Sequence, residues 1–201
     1  MQRSLLLFLG ALTFAGCSLN SPASSVYTIL PLPEASPDIS APRHGGTVKL
    51  APTRTLPSLG TKSLRYLRPQ GESGEYLYSR WSDAPALLIE RTLVSSLQNK
   101  KLYAAVLPPG SAAAPSHLLE SDLTSFEHRF RPNGGSEGYI DMTYRLVDPK
   151  TKQTLASKRF QIVAAAATDD AKGGVDALSR ATRELARQST EWLADYLQEK
   201  P

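Results

Sequence analysis

This chain of 201 residues contains a single cysteine, Cys17. One cysteine cannot form an intramolecular disulfide, and it excludes a zinc site built from paired Cys-x-x-Cys motifs. No apolar run reaches the roughly 20 residues that cross a bilayer as a helix. The longest, Leu5 to Phe14, is about half that length. The phosphate-cradling P-loop, the dinucleotide-type glycine pattern and the metalloprotease His-Glu-x-x-His are all missing. Nucleotide-driven and zinc-driven chemistry lose their usual signatures with them. Acid is missing from one long stretch: between Asp38 and Glu72 the chain carries Arg43, Lys49, Arg54, Lys62, Arg65 and Arg68 and no carboxylate. A net charge of +4 suits an anionic surface but is too small to argue for nucleic acid.

Three features invite a catalytic or metal-binding reading, and none holds it. Gly134-Gly135-Ser136-Glu137-Gly138 matches the Gly-x-Ser-x-Gly of hydrolases. That motif needs a helix after the serine, to hold it on a strained elbow. Here the alternating segment Tyr139 to Val147 follows, so the glycines read as a hairpin tip. Three histidines are present. His44 lies in a glycine-rich loop. His117 and His128 are an odd eleven residues apart on one expected strand, which puts them on opposite faces with no carboxylate partner in view. They read as structural or solvated rather than as a general base or metal ligands. Asp169-Asp170 reads as charge at a helix start. The sequence therefore points to no enzyme, no cofactor and no metal.

What the chain does have begins at its amino terminus. A short basic start (Met1-Gln2-Arg3), the apolar run and the small pair Ala15-Gly16 make the three-part pattern of a secretory signal peptide over residues 1–16. Phe14-Ala15-Gly16-Cys17 resembles the lipobox of bacterial lipoproteins, with Phe14 where Leu is usual. The resemblance implies that Cys17 becomes the lipid-bearing first residue. Each buried methylene contributes about 0.8 kcal/mol, so several palmitate-like chains on one residue hold a soluble domain on a bilayer. Ser18, where Gram-negative inner-membrane lipoproteins carry Asp, implies the outer membrane with the domain facing the periplasm.

Residues 17–25 read as a lipidated tether and 26–201 as one domain. Apolar content of 41% supports a packed core. Val26 to Leu30 is an expected strand, followed by a Pro-rich loop over 31–46. A second strand begins near Thr47, broken or confined to an edge by Pro52 and Pro57. Ser63–Arg68 and Glu75–Arg80 form an expected hairpin. Ser82 or Asp83 caps a helix with Pro85 in its first turn. Its buried stripe is Ala86, Ile89, Leu93 and Leu97, with Leu88 falling opposite and unexplained. Leu102 to Leu107 is a strand, and three long strands follow over about 118–130, 139–147 and 153–163. In the middle one Ile140, Met142, Tyr144 and Leu146 alternate with Asp141, Thr143 and Arg145, the mark of a sheet covered on one face. A last helix spans about Val175 to Gln198, with the stripe Leu178, Ala181, Leu185, Ser189, Trp192 and Tyr196. The expected fold is α+β, a mostly antiparallel sheet with two main helices packed on one face. Arg54, Lys62, Arg65 and Arg68 are candidate contacts for anionic headgroups or an acidic partner, against the blander reading of edge charges that discourage aggregation. Trp81 is by default a packing residue at the helix entry and otherwise an interface contact.

Several segments together resemble one family: the lipidated start, Tyr27-Thr28-Ile29-Leu30-Pro31, the stretch Tyr76 to Leu97, Leu119 to Phe130, Tyr139 to Phe160 and Ala177 to Leu193. The Arg80-Trp81 helix entry and Phe126-Glu127 are the most telling. This resembles the ABC-type transport auxiliary lipoprotein components, over about residues 25–195. The resemblance implies a non-enzymatic accessory subunit whose partners are an MCE-domain (mammalian cell entry) periplasmic protein and ABC transporter subunits that move phospholipid. Those subunits would supply the energy, and self-association into a homo-oligomer is compatible with the role. Only Cys17 transfers as a chemically defined site. The other reading is a stand-alone envelope lipoprotein of structural or assembly type, unconnected to a transporter.

Overall fold

The computed structural model describes residues 23–30 and 44–199. The signal peptide, Cys17, Ser18, most of the tether, Arg43 and most of the Pro-rich loop lie outside the described residues.

The architecture is α+β. Its spine is β7 (His117–Phe130), joined along one edge to β8 (Ser136–Val147), which is joined in turn to β9 (Thr154–Ala165). These long pairings are antiparallel, closed by tight turns at Gly134-Gly135 and at Asp148–Lys152. Gly134 and Gly135 both sit at positive φ (86° and 74°), which explains glycine at both positions. The other edge of β7 is filled piecewise by three short parallel strands in succession. β2 (His44–Leu50) pairs at 117–119, β3 (Arg54–Thr55) at 122–123, and β4 (Ser63–Leu67) at 128–129. Pro52 and Pro57 fall in the gaps between these pairings, where no ladder N–H is needed. The segment is thus interrupted as expected, but it lies inside the sheet and not at its edge, because β6 (Tyr103–Leu107) covers the far side of β2. β5 (Ser73–Trp81) completes the hairpin with β4, and β1 (Ser25–Tyr27) adds a short parallel edge to β5.

Helices α1 (Pro85–Asn99) and α2 (Ala171–Glu199) lie on the face that carries Ile140, Met142, Tyr144 and Leu146, and one apolar core unites them. Both helices depart from the expected pattern for the same reason. α1 contacts the sheet and also α2, so its buried arc spans about half its circumference, from Leu88 through Thr92 and Ser96 to Leu97. Leu88 is fully buried, which corrects its assignment to the outer side. Ser96 and Thr190 share a hydroxyl bond of 2.8 Å across the helix pair. Likewise Thr182, Ala186, Thr190 and Leu193 of α2 are buried beside the expected stripe, while Trp192 and Tyr196 sit at its margin.

The helix starts also differ. α1 has Ala84, not Ser82 or Asp83, as its N-cap, and no side chain caps it. Pro85 at the first position forces the preceding residue extended, and the Asp83 carboxylate is taken by Arg91 at 2.6 Å. α2 begins four residues earlier than Val175 and takes Gly173-Gly174 into its first turn. Asp170 caps it, accepting a 2.8 Å bond from the Gly173 N–H. The glycines cost helix propensity, but they permit close packing. A Cβ on Gly174 would lie 2.6 Å from His128 Cγ, and one on Gly138 would lie 2.5 Å from the Leu178 backbone nitrogen. The helix therefore rests directly on the sheet at its amino-terminal end.

Candidate functional site

β7 carries a bulge between Leu123 and Ser125. One extra residue reverses the face of everything beyond it. Leu119 and Leu123 point to the core before the bulge, and Phe126 and His128 point to the core after it. His117 and His128 therefore share the helix-covered face instead of facing opposite ways.

The two histidines build separate clusters. At one end of the sheet His44, which begins β2, lies 5.5 Å from the His117 ring, and Tyr103 closes edge-on at 5.4 and 5.9 Å. Burial, then the neighbouring His44, lower the His117 pKa and favour the neutral ring. Among the described residues no group of His, Cys, Asp and Glu could hold a metal ion.

At the other end His128 is fully buried beneath the first turn of α2. Its Nδ1 lies 2.7 Å from the Tyr76 hydroxyl. Burial pushes that phenol up to about 12, so it keeps its proton to share with the ring. Burial also lowers the His128 pKa, with Asp169 and Asp170 opposing it more weakly. Ser136, the serine of the hydrolase-like pattern, is fully buried and donates to Asp169 at 2.5 Å. It begins a strand rather than an elbow and is shut away from any substrate. The cluster instead pins the strand-to-helix connection before α2 onto the sheet. Sequence reasoning missed both bonds, which join residues 52 and 33 positions apart.

The opposite face of the sheet is open and polar. Asp122 sits between Arg54 at 2.6 Å and Arg145. Those partners, Arg54 first, hold its carboxyl at about 2. Asp141 accepts from Arg159 at 2.8 Å and from Gln161 at 3.3 Å, and Arg159 is the leading cause of its lowered pKa. Arg129 pairs with Glu127 at 3.0 Å and stacks over the Tyr139 ring at 3.5 Å.

The structure separates the candidate cations of the acid-free stretch. Arg54 is taken by Asp122, and Arg65 pairs with Glu75 at 3.1 Å. Arg68 lies 3.6 Å from Glu72 and over the Tyr66 and Phe130 rings. The missing carboxylates are supplied by other segments. Lys62 alone of the four has no such partner within 4 Å among the described residues, and it lines a hollow with Arg80 and Glu75. Trp81 is 1% exposed and packs edge-on against Phe126 at 5.6 Å. Of the two readings of Trp81 this favours the packing one and removes the contact one: β5 ends with Trp81 turned inward under the start of α1, where it packs the helix entry.

With this geometry in hand, the comparisons with known proteins agree with one another. A family model described as ABC-type transport auxiliary lipoprotein component matches residues 27–189. A crystal structure of a Xanthomonas campestris protein of the DUF330 family superposes with a TM-score of 0.77 at 16% identity, covering 88% of this chain and 98% of that one. A second, of an uncharacterized protein, gives 0.66 at 12% identity, covering 85% and 99%. At such identities these likenesses speak for the fold alone. No curated protein sequence matches the chain.

Proposed function

The chain belongs to the ABC-type transport auxiliary lipoprotein component family, and from that premise we propose that it is the non-enzymatic accessory subunit of an MCE/ABC-type phospholipid transport system. In this reading Cys17 carries the acyl anchor, in the outer membrane, and the α+β body faces the periplasm as one domain. An MCE-domain protein and ABC transporter subunits are its partners, and the ATP-hydrolysing subunits supply the energy. The observation that carries the reading is the family match over residues 27–189, which begins ten residues after the lipobox cysteine. The burial of Ser136 supports a non-catalytic role.

The test is to extract the tagged, acylated protein from its native membrane in mild detergent and identify what copurifies, with Cys17→Ala as control. Transporter and MCE-type subunits in stoichiometric yield are expected, lost or reduced in the control. Recovery of the acylated protein with only copies of itself, or with another envelope complex, would overturn the transport assignment in favour of a stand-alone structural lipoprotein.

A further inference from the structure

The β4–β5 hairpin contains a large irregularity. β5 advances from Glu75 to Arg80 while β4 retreats only from Arg65 to Ser63. The surplus β5 residues bulge out of the ladder. Tyr76 turns inward to His128, and Leu77 and Tyr78 are pushed into solvent at 80% and 48% exposure. Leu77 is the most exposed large apolar side chain among the described residues. Val26 of the adjoining edge strand is 53% exposed and pairs in register with Arg80. An apolar tip of this kind on a two-strand edge has no packing role.

The tip is set in a cationic frame. A hollow of about 380 Å³ behind it is lined by Ser24, Lys62, Ser79 and Arg80, with Glu75 in its wall. The Glu75 carboxylate is already engaged by Arg65 and by Ser63 at 2.7 Å. Neither Lys62 nor Arg80 has an ion-pair partner within 4 Å among the described residues, and the acid that feels the Lys62 charge, Asp83, does so at longer range while bound to Arg91. Exposed aliphatic and phenolic side chains between free cations match the boundary of a bilayer with anionic headgroups.

The chain itself says which occupant this edge meets. Ser24 in the wall of the hollow is seven residues from Cys17. Fully extended, that stretch reaches at most about 25 Å. The turn between β8 and β9 is remote from it: Val147 pairs at Leu118 of β7, whereas Ser63–Arg65, which flank the tip, lie beside β7 just before the Tyr66 register at His128, roughly 25 Å along the strand. A tether this short holds the β1–β5 edge near the anchoring bilayer at high effective concentration.

We propose that Leu77 and Tyr78 form a membrane-contact tip that enters the headgroup region of the bilayer holding the anchor, with Lys62 and Arg80 meeting anionic phospholipid headgroups. The inference rests on the reading of Cys17 as the acylated residue. The contact gives the tethered body a fixed orientation, with its β8–β9 turn directed away from the membrane.

The test uses the full acylated protein in vesicles of phosphatidylethanolamine and phosphatidylglycerol. Acylation consumes Cys17, so Leu77→Cys supplies the sole thiol for an NBD fluorophore, with Tyr78→Cys as a second tip position and Lys150→Cys, on the exposed β8–β9 turn, as reference. Headgroup nitroxide lipids should quench the tip label at least about threefold more than the reference label. Adding Lys62→Glu and Arg80→Glu should halve that difference, roughly, and remove its dependence on phosphatidylglycerol. Equal quenching at tip and reference, for both tip positions, overturns the proposal, as does a tip shielded from water by a copurifying protein without lipid quenching. Intact mass separates the two levels. Acylated, vesicle-bound protein with an unquenched tip sinks this inference alone, whereas a free Cys17 thiol sinks it together with the anchor.

Discussion

The two faces of the same strands teach different lessons about how a half-covered sheet is stabilised. On the inner face of β8, Ile140, Met142, Tyr144 and Leu146 are each at most 2% exposed because two helices lie over them. On the outer face no helix lies among the described residues, yet Asp141 is only 5% and Tyr139 only 9% exposed. Cover there comes from the neighbouring strands themselves. The stems and heads of Arg129, Arg159 and Gln161 fold across the centre of the sheet and are held by the acids beneath them. Long charged side chains thus act as a thin polar layer, burying backbone and aromatic surface while their charged ends remain in water. The inner face depends on close fit, the outer face on paired charge, and the two respond differently to perturbation.

Gly138→Val should break the comparison most sharply. A Cβ there meets the α2 backbone, so the helix must lift from the inner face. A loss of about 3 kcal/mol or more is expected, read as a fall in the urea midpoint by circular dichroism. A retained midpoint would show that α2 does not rest on β8 as described.

An intermediate effect belongs to the outer face and depends on pH. The Asp122 carboxyl titrates at about 2 in the folded protein, below the usual carboxylate value, because Arg54 and Arg145 flank it. A depressed pKa means that the stabilisation is fully present above about pH 4 and lost as pH falls towards 2. Asp122 is largely shielded but its partners are not, so about 1 kcal/mol is expected at neutral pH. Asp122→Asn should lower the midpoint at pH 7 and flatten its decline between pH 4 and 2. An unchanged decline would assign acid sensitivity to other groups.

Arg65→Ala should have the smallest effect. Its single partner, Glu75, is half exposed, and such pairs contribute little. No resolvable shift in midpoint is expected, at low or high salt. A clear loss would show that the outer layer is a cooperative network, not a set of separate pairs.

Much of this arrangement was legible beforehand, and the failures share a cause. The β8 alternation and the hairpin tip at Gly134-Gly135 are local patterns, and both appear. The misread residues depend on a third partner. Leu88 is buried because α2 lies beside α1. The faces of His117 and His128 depend on a bulge that no spacing rule announces. The acid-free stretch reads as a basic patch along the chain, and in space Asp122 answers Arg54 and Glu75 answers Arg65.

The sequence by itself determined the class of the molecule. Period-2 strands and two amphipathic helices specify an α+β body, since periodicity is a local property of the chain, and the signal-like start with its lone cysteine sets the expectation of a lipid anchor. Only the tertiary structure decided which charges remain unpaired and which apolar side chains reach solvent. Lys62, Arg80, Leu77 and Tyr78 stand out only once Arg54, Arg65, Arg68 and Tyr76 have been placed against their partners, because pairing and burial are properties of neighbours in space and not of neighbours in sequence.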